Sequence, residues 1–580
     1  MNGWTGTLLA IDLDDGSHRV IEPPAKLYET YLGGRCFAGH FLRPCAREPW
    51  DSPGMPLLFF TGPLTDTSAP SSARSCVMTR SPLTGTVGDA SVGGDIGIHL
   101  KRAGWDGLVI TGRRVRLSGI EILDREVRIR DASHLAGAPI SRCMKDLPEG
   151  GSLAIIGPAA ENGVRFAGIA VDGHFFAGRG GAGLVMAAKN LKYIRVAGTG
   201  RTGVRDPDEL TRAGEEIHRL AAASPILKGE LGISEFGTGA LYDLMHSRRM
   251  MPTENFRKTL FPGAPAMNAW HYRERYATSK TGCRGCRILC KKKGRDGRAM
   301  PEFETMSHFS ALVGNRDIDA VVEANRLCND LGMDTISTAA TLACYFEITG
   351  ETPSPAALLD LVEDIGLSRG EGSALKEGSR RYGAAHGRED LSMSVKGLEL
   401  AAYDPRGAYG MALAYAVSTR GACHLRAYPI AHEILRKPVA TDRFSFSGKA
   451  RIIKISEDTN AAADSLTACR FLFLAASLEE YARAAAAVTG VPFTAQDLMR
   501  IGERASCQER IINAANGFTA ADDVLPERFF TEAGSGGEGI EIPPLDREEF
   551  HAALAAYYRV RGLDEKGMPT EETIRGLGLE

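Results

Sequence analysis

The sequence predicts an α+β protein in which a β-rich first domain precedes mainly helical domains. Three observations carry this prediction. Residues 1 to about 200 contain short β-branched runs that end in glycine or turn residues. A stretch rich in glycine, proline and charge then breaks the pattern, and beyond it apolar residues recur at helical spacing. Strands followed by helices in this order are typical of the α+β class.

The expected strands of the first part are short and apolar. The N-terminal segment "MNGWTGTLLAIDLDDG" has neither a basic start nor a small-residue cleavage site, so we interpret it as the first strand and not as a signal. The later strand candidates are "PLLFFTG", "GLVITG", "LAIIG" and "KYIRVAG". No apolar run is long enough to span a bilayer. We therefore expect a cytoplasmic protein without membrane insertion.

The expected helices begin after the break "GTGRTGVRDPDEL", where Asp206 and Asp208 are candidate caps. The helical segments are "DELTRAGEEIHRLAAA", "IDAVVEANRLCNDLG", "ISTAATLACYFEIT" and "LEEYARAAAAVTG". Near the C-terminus, "GSGGEGIEIPPL" is interpreted as a flexible connector that leads into a last helix. A chain of 580 residues is too long for one hydrophobic core, so two to four domains are expected.

Charge and cysteine usage narrow the class of protein. The net charge of -3 gives no reason to expect nucleic acid as a partner. Twelve cysteines without a secretory signal favour metal or redox use in a reducing compartment over a disulfide framework. Scattered cysteines are more often small buried hydrophobic residues, and only one group in this chain is clustered.

That group is the stretch "TGCRGCRILCKKK", residues 281–293, which has the spacing C-x2-C-x3-C. A zinc site would need a fourth ligand, commonly from a second nearby pair, and the sequence contains no second C-x2-C. An iron–sulfur cluster accepts three cysteines from one loop and a distant fourth. The spacing favours a cluster over zinc, and zinc over unmetallated thiols. The lysines that follow would offset cluster charge, face an acidic electron-transfer partner, or simply be solvated.

Two glycine-bearing loops in the β-rich part suggest a ligand with several anionic groups. The run Gly178-Arg179-Gly180-Gly181-Ala-Gly183 formally matches G-x-G-x-x-G, so nicotinamide or flavin binding must be considered. We expect phosphate binding instead, because the glycines do not directly follow the apolar strand and Arg179 intrudes among them. A plain tight turn is an equally good interpretation of this motif alone.

The second loop lies earlier in the chain. It combines Arg74 and Arg80 with the turn "SPLTG" and the pair Gly93-Gly94, which precede an expected helix.

Together these stretches resemble the tungsten-containing aldehyde:ferredoxin oxidoreductase family. The similarity runs nearly end to end and includes "SPLTGTVG", "LKRAGWDGLVITG", "AGRGGAGLVMAAKNLKYI", the cysteine triad, "PEFETM", "CNDLGMDTIST", "GLELAAYDPRGAYGMALAYAVSTRGACH", "DSLTAC" and "YYRVRGLDEKGMP". The resemblance implies a β-rich domain over residues 1–203 that forms a base for two pterin molecules. It further implies helical domains over 204–400, with the triad and Glu304, and over 401–580, with His424, Asp464 and Cys469.

The resemblance also assigns cofactor contacts. Two pterins would bind one tungsten, or molybdenum, through their own sulfurs, with a Mg²⁺ bridging their phosphates. The residues matched to cofactor binding are Arg74, Ser91, Gly93, Gly94, Arg179, Gly180, Gly181, Asn329, Asp334 and Asp464. Ser91 stands where the family has Asn at a magnesium contact, and Asn329 stands where it has Asp at a pterin contact. Both contacts are therefore altered in this chain.

The cluster and the catalytic pair follow from the same resemblance. Cys283, Cys286, Cys290 and the distant Cys469 of "DSLTAC" would hold a [4Fe–4S] cluster. Glu304 and His424 match residues that line the tungsten pocket, although by themselves they would be interpreted as a capping glutamate and a core histidine.

A metal that bridges two subunits in some members is not expected here, because Arg326 replaces the histidine of its E-x-x-H motif.

The implied function is oxidation of a small aldehyde to the carboxylic acid, with electrons passing through the cluster to ferredoxin or a ferredoxin-like subunit. Glu304 would take a proton and His424 would donate a hydrogen bond to the substrate oxygen. A homodimer or larger assembly is expected. The alternatives are a tungsten-dependent aryl-acyl-CoA ring reductase, an NAD(P)-dependent dehydrogenase built on the 178–183 loop, and a zinc-binding interaction protein.

Overall fold

A computed structural model describes all 580 residues, and its first third contains two six-stranded sheets. The strands of the first sheet are β1 (Leu8–Asp12), β2 (His18–Ile21), β3 (Leu57–Phe60), β4 (Ser75–Arg80), β5 (Val87–Val92) and β6 (Gly107–Thr111). Their order is β2-β1-β6-β3-β4-β5. Only β1 and β6 run parallel, and every other pair is antiparallel.

The second sheet follows directly in the chain. Its strands are β7 (Ser118–Leu123), β8 (Glu126–Asp131), β9 (Ser152–Ile155), β10 (Ile169–Val171), β11 (Phe175–Ala177) and β12 (Leu191–Ala197), in the order β11-β10-β9-β12-β7-β8. Six helices are interspersed with these strands: α1 (Ala25–Tyr31), α2 (Gly34–Leu42), α3 (Ile96–Arg102), α4 (Ile140–Asp146), α5 (Pro158–Glu161) and α6 (Ala182–Ala188).

The rest of the chain is mainly helical. Its helices are α7 (Pro207–Ala223), α8 (Pro225–Lys228), α9 (Ile233–Phe236), α10 (Tyr242–Ser247), α11 (Ala269–Tyr276), α12 (Phe303–Ser307), α13 (Ile318–Leu331), α14 (Thr335–Thr349), α15 (Pro355–Leu367), α16 (Gly372–Leu375), α17 (Ser379–Ala385), α18 (Tyr409–Val417), α19 (Ile430–Glu433), α20 (Lys449–Leu466), α21 (Leu478–Thr489), α22 (Ala495–Ala515), α23 (Arg528–Thr531), α24 (Arg547–Arg561) and α25 (Glu571–Leu577). Two hairpins interrupt them: β13 (Ser279–Thr281) with β14 (Lys291–Lys293), and β15 (Ser394–Val395) with β16 (Leu398–Glu399). The predicted α+β class is confirmed.

The predicted helices α7, α13, α14 and α21 lie where the helical periodicity indicated them. Asp206 caps α7 by accepting a hydrogen bond from the backbone N–H of Glu209, whereas Asp208 lies in the first turn. The connector near the C-terminus leads into α24, and a further helix, α25, follows it. None of the helices is long and apolar enough to cross a bilayer.

The glycine loop differs from the sequence expectation in one respect. We expected the glycines not to follow a strand directly, but β11 ends at Ala177, immediately before Gly178. The topology nevertheless differs from a dinucleotide-binding unit. That unit needs two parallel strands joined by a helix, whereas β11 lies at a sheet edge and runs antiparallel to β12 through two intervening strands.

The helical part packs directly on the first sheet. Helix α2 contacts β3 and β4 on one side and α20 and α22 on the other. A buried ion pair, Arg35 Nε to Glu509 Oε1 at 2.6 Å, joins α2 to α22. Helix α7 packs on α21, so segments far apart in sequence share one core. This arrangement leaves a large hollow between the sheets and the helices.

Candidate active site and metal centre

The hollow is a cavity of about 2050 Å³ that both sheets and several helical segments line. Single small-molecule sites usually measure roughly 300–1,000 Å³, so this cavity suits a much larger ligand. Most of the sequence-predicted site residues lie on its wall: Arg74, Ser91, Gly93, Arg179, Cys283, Cys290, Glu304, Asn329, Asp334, His424 and Cys469.

Five predicted residues do not line the cavity: Cys286, Gly94, Gly180, Gly181 and Asp464. Cys286 packs behind the wall. The glycines have φ angles of 92°, 86° and 80°, which side chains with a Cβ rarely adopt, and they shape the turns that lead into α3 and α6. Asp464 is held by Arg35 and by Arg470, whose Nε donates to its Oδ1 at 3.0 Å. Arg470 itself lines the cavity, so Asp464 is connected to the cavity wall through that guanidinium.

The cysteine triad lies on the loop between β13 and β14, whose pairing brings the two ends of the loop together. One residue of the first domain joins this loop to the distant fourth cysteine. The Ser71 hydroxyl donates to Cys286 Sγ at 3.2 Å, and the Ser71 carbonyl accepts from the Cys469 N–H at 3.0 Å. Cys283, Cys290 and Cys469 lie on the wall of one cavity. The structure thus brings the two sequence segments into one neighbourhood.

The spacing of these thiols differs from that of a mononuclear metal site. No three His, Cys, Asp or Glu side chains in the chain are close enough together to bind one ion. Ligands of one zinc converge on a single atom about 2.3 Å from each sulfur, whereas each thiolate of a cubane binds a different iron and the sulfurs stay farther apart. The thiols are therefore not gathered around one point, as ligands of a single zinc would be.

Gly93 and Arg74 connect the cysteines to the rest of the cavity. A Cβ at Gly93 would lie 2.8 Å from Cys283 Sγ and 2.7 Å from the Phe175 ring, so only glycine fits. Arg74 Nη1 donates to the Ser91 carbonyl at 2.8 Å. Burial alone would lower the pKa of the Arg74 guanidinium, but the thiols of Cys469 and its neighbours raise it above the ordinary value. Arg74 therefore lies between the cysteines and the open space.

Arg179, from the glycine loop, reaches into the helical half of the cavity. It donates to the carbonyls of Ala422, at 3.3 Å, and Glu399, and its Nε lies 3.7 Å from Asp334 Oδ2. Asp334 also caps α14 by accepting from the N–H groups of Ile336 and Ser337. The Nε atoms of Arg74, Arg179 and Arg420 are buried without hydrogen-bond partners. Buried donors of this kind normally find an acceptor, so they fit a large anionic ligand.

Glu304 and His424 face each other in the cavity. Glu304 Oε2 accepts from the Ala402 N–H at 2.8 Å, and Glu304 Oε1 lies 3.5 Å from His424 Nε2. Glu304 Oε1 and His424 Nδ1 are buried and have no hydrogen-bond partner. His308 is the third member of this group: its Nδ1 lies 2.7 Å from the Glu304 carbonyl oxygen and its Nε2 lies 3.2 Å from the Leu400 carbonyl oxygen, and a neutral ring can donate to only one of them.

Burial dominates the protonation of this group. It raises the pKa of Glu304 from 4.5 to about 8, because a carboxylate loses hydration there. Burial and the nearby charge of Arg179 hold the pKa of His424 well below 6.5. The pKa of His308 falls to about 4, also through burial. At neutral pH both imidazoles are therefore uncharged, while the carboxyl can gain or lose a proton.

The structure adds residues that the sequence analysis did not single out. Tyr403 lies 5.6 Å from His424 between ring centroids, and its hydroxyl is 3.3 Å from that of Tyr428. Arg420 Nη2 donates to Cys423 Sγ at 2.8 Å. Burial opposes ionisation of this thiol, but Arg420 and further arginines outweigh it and lower the pKa of Cys423 to about 7. The only sequence signal for the pair was its position in "STRGACH", next to His424.

Comparison with known proteins gives matches along the whole chain. Residues 8–198 match the family model for the aldehyde ferredoxin oxidoreductase N-terminal domain, and residues 212–579 match that for domains 2 and 3. The chain is 34% identical to the tungsten-containing aldehyde ferredoxin oxidoreductase of Pyrococcus furiosus, over 100% of this chain and 99% of that protein. The protein of the same name from Thermococcus kodakarensis gives the same identity and coverage.

More distant similarities extend to other activities. The chain is 26% identical to an aliphatic sulfonate oxidoreductase, WOR-like subunit, of Pyrococcus furiosus, over 100% of this chain and 97% of that one. Among solved structures, the active site complex of a benzoyl coenzyme A reductase with 1,5-dienoyl-CoA matches with a TM-score of 0.84 and 22% identity, over 100% of this chain and 97% of that chain. At that identity the match supports the fold alone.

Proposed function

This chain belongs to the aldehyde ferredoxin oxidoreductase family, and from that premise we propose that it oxidises an aldehyde to the carboxylic acid and passes the electrons through a [4Fe–4S] cluster to ferredoxin. The family and its tungsten-containing members make the protein an oxidoreductase. The substrate, the cluster and the route of the electrons are the proposed part.

The observation that carries the proposal is the pairing of Glu304 with His424 on the cavity that three of the four candidate cluster cysteines also line. The cavity thus brings together a proton acceptor, a neutral hydrogen-bond donor and a candidate site for the electron-accepting cluster. Aldehyde oxidation needs all three, since aldehyde and water together release two protons and two electrons while charge changes on the carbonyl oxygen.

The cofactor assignments fit the cavity. We assign the pterin phosphates to Arg74 and Arg179, whose buried Nε atoms make no hydrogen bond within the protein. Ser91, Gly93, Asn329 and Asp334 would contact the pterins, Gly94 and Gly181 would shape the loops around them, and Asp464 would act through Arg470. The bridging Mg²⁺ is assigned to the region of Ser91 and Gly180. When bound, the bis-pterin tungsten group, or its molybdenum equivalent, supplies oxygen transfer and accepts two electrons.

The protein's own residues then bind, orient and move protons. His424 is neutral, so it can donate a hydrogen bond to the aldehyde oxygen without carrying a charge into the pocket. Glu304 accepts the proton, because its raised pKa makes the proton transfer nearly balanced near neutral pH. His308 holds the Glu304 segment in place by donating its single N–H to one of the two nearby backbone carbonyls, that of Glu304 or that of Leu400.

Anaerobic protein with full tungsten and iron content tests the proposal. It should convert an aldehyde such as acetaldehyde or benzaldehyde to the acid with benzyl viologen as acceptor. Benzoyl-CoA, supplied with a strong reductant, should not be reduced. Absence of aldehyde oxidation by such a preparation would refute the proposed function, and reduction of benzoyl-CoA would select the ring reductase instead.

A further inference from the structure

The loop that carries the cysteine triad lies in the most basic part of the chain. Residues 269–293 contain eight lysines or arginines and one glutamate, whereas the whole chain has a net charge of -3. Four of these cations are paired: Arg275 with Asp319, Lys280 with Glu235, Arg284 with Asp95, and Lys291 with Glu302. Arg273 and Arg287 are exposed and pair with no carboxylate.

An apolar centre lies beside these cations. Trp270 is 42% exposed and Leu231 is 64% exposed, and both also lie on the wall of the cavity. The rings of Trp270 and Phe236 are tilted against each other with their centroids 4.6 Å apart, and Arg273 lies over them at 5.7 Å and 5.3 Å. An aromatic centre surrounded by charge is the usual composition of a protein-binding surface.

Contacts tie this face to the cysteine loop. Lys228, exposed at the end of α8, donates to the Arg287 carbonyl within the loop. At the end of α9, Gly237 is so close that an added Cβ would lie 2.8 Å from the Cys290 carbonyl oxygen. The exposed residues Arg284, Gly285 and Arg287 flank Cys286. A partner bound here would therefore lie next to the thiols.

We infer that Leu231, Trp270, Arg273 and Arg287, here called the docking face, bind a small acidic iron–sulfur electron carrier. The inference rests on the proposed function, because it names the surface on which that carrier is reduced. Each aldehyde and water yield one carboxylic acid, two protons and two electrons, and two oxidised carriers bind in turn and take one electron each. Charge complementarity selects an acidic partner and speeds its association. Glu230 and Glu274 are exposed carboxylates near the face that pair with no cation.

The test measures binding and turnover separately. Binding of a recombinant acidic [4Fe–4S] ferredoxin to the metal-loaded protein is measured at low and high salt for the wild type and for Arg273→Glu/Arg287→Glu. We expect the double variant to raise the Kd at least tenfold at low salt and to lose most of its salt dependence. Turnover with benzyl viologen should change less than twofold, because the small dye does not need the face.

Arg19→Glu is the matched control. Arg19 is exposed on β2, at one edge of the first sheet. Strand β5, which leads to Gly93 beside Cys283, lies at the opposite edge, roughly 24 Å away at the usual strand spacing. This variant should bind the ferredoxin like the wild type. If Arg287→Glu disturbs the cysteine loop, Arg273→Glu alone decides the question, since α11 lies outside that loop.

Two results would overturn the inference: equal ferredoxin binding by Arg273→Glu/Arg287→Glu and Arg19→Glu, or a change of oligomeric state in the double variant without a change in ferredoxin binding. Failure of the proposed function would give a different result: the wild type would not oxidise aldehyde with the dye as acceptor. The binding of ferredoxin to the docking face would still be tested, because it is measured without turnover.

Discussion

Replacing Glu304 with glutamine keeps the size of the side chain and removes its ability to accept a proton. The Glu304 carboxyl has a pKa of about 8, so roughly a tenth of it is ionised at pH 7 and about nine tenths at pH 9. If the ionised form is the base, kcat/KM for the aldehyde in the wild type should rise nearly tenfold between these pH values. Since a positioned base contributes about 10²- to 10⁴-fold, Glu304→Gln should lower kcat by that factor and flatten the pH profile.

The assay is dye-linked aldehyde oxidation by anaerobic protein whose tungsten and iron contents match those of the wild type. Glu302→Gln is the matched control, because Glu302 lies two residues away, its carboxylate is 46% exposed, and it pairs with Lys291 at 3.5 Å. It should retain activity and the rising pH profile. A Glu304→Gln variant with near-normal turnover, or with the same rise towards pH 9, would refute the role of Glu304 as the base.

Three further predictions concern neighbouring features. In the protein without cofactors, the raised pKa of Glu304 stabilises the fold below pH 4.5, and this contribution is lost as the pH rises through 8. The free energy of unfolding of Glu304→Gln should therefore exceed that of the wild type by at most about 5 kcal/mol at pH 9 and by almost nothing at pH 4. Equal pH dependence of the two proteins in denaturant titrations would contradict the raised pKa. Gly93→Ala should lower bound iron and visible absorbance, because the new methyl group would lie 2.8 Å from Cys283 Sγ. Gly576→Ala is the control and should retain full iron, since an added Cβ there meets no atom within 4 Å. Full iron in both variants would show that the cysteine loop can move to accommodate the methyl group. His424→Asn should lower kcat about 10²-fold with little change in KM. The shape of the pH–rate profile between pH 5 and 8 should stay the same, because the wild-type imidazole is neutral throughout that range. Loss of an ionisation near pH 6.5 from the profile of the variant would contradict that neutrality.

Elements with strong local patterns were predictable from sequence. Helix α13 keeps its apolar residues on one face and begins at Asp317, whose side chain caps it. Helix α21 begins with a capping box at Ser477 and Glu480. Strands β3 and β9 are fully buried apolar runs. In each case the local signal and the tertiary environment favour the same structure, so the sequence was sufficient.

The candidate site was only partly predictable, because it is assembled from contacts between distant segments. Ser71 joins the cysteine triad to Cys469, yet nothing near Ser71 in the sequence indicates that role. The opposition of Glu304 and His424 depends on how α12 packs against the loop after α18, and no local pattern encodes that distance. The lowered pKa of the Cys423 thiol likewise depends on burial beside Arg420, because neighbouring charges interact more strongly in the protein interior. The sequence does not show that burial.

The direct connection between β11 and Gly178 was missed for a related reason. Phe175–Ala177 is a three-residue strand at a sheet edge, too short to show a two-residue alternation. Only the pairing with β10 defines it.

The metal content of anaerobically purified wild type and Cys469→Ser tests the proposed cluster most directly. We expect about four irons and one tungsten or molybdenum per wild-type chain, with a cubane signal in the electron paramagnetic resonance spectrum after reduction. Cys469→Ser, which removes the ligand supplied by the distant segment, should lose iron or convert the cluster to a three-iron form. One zinc in place of iron, or an unchanged cluster in Cys469→Ser, would contradict the central claim that four thiols from two segments hold a cubane beside the cavity.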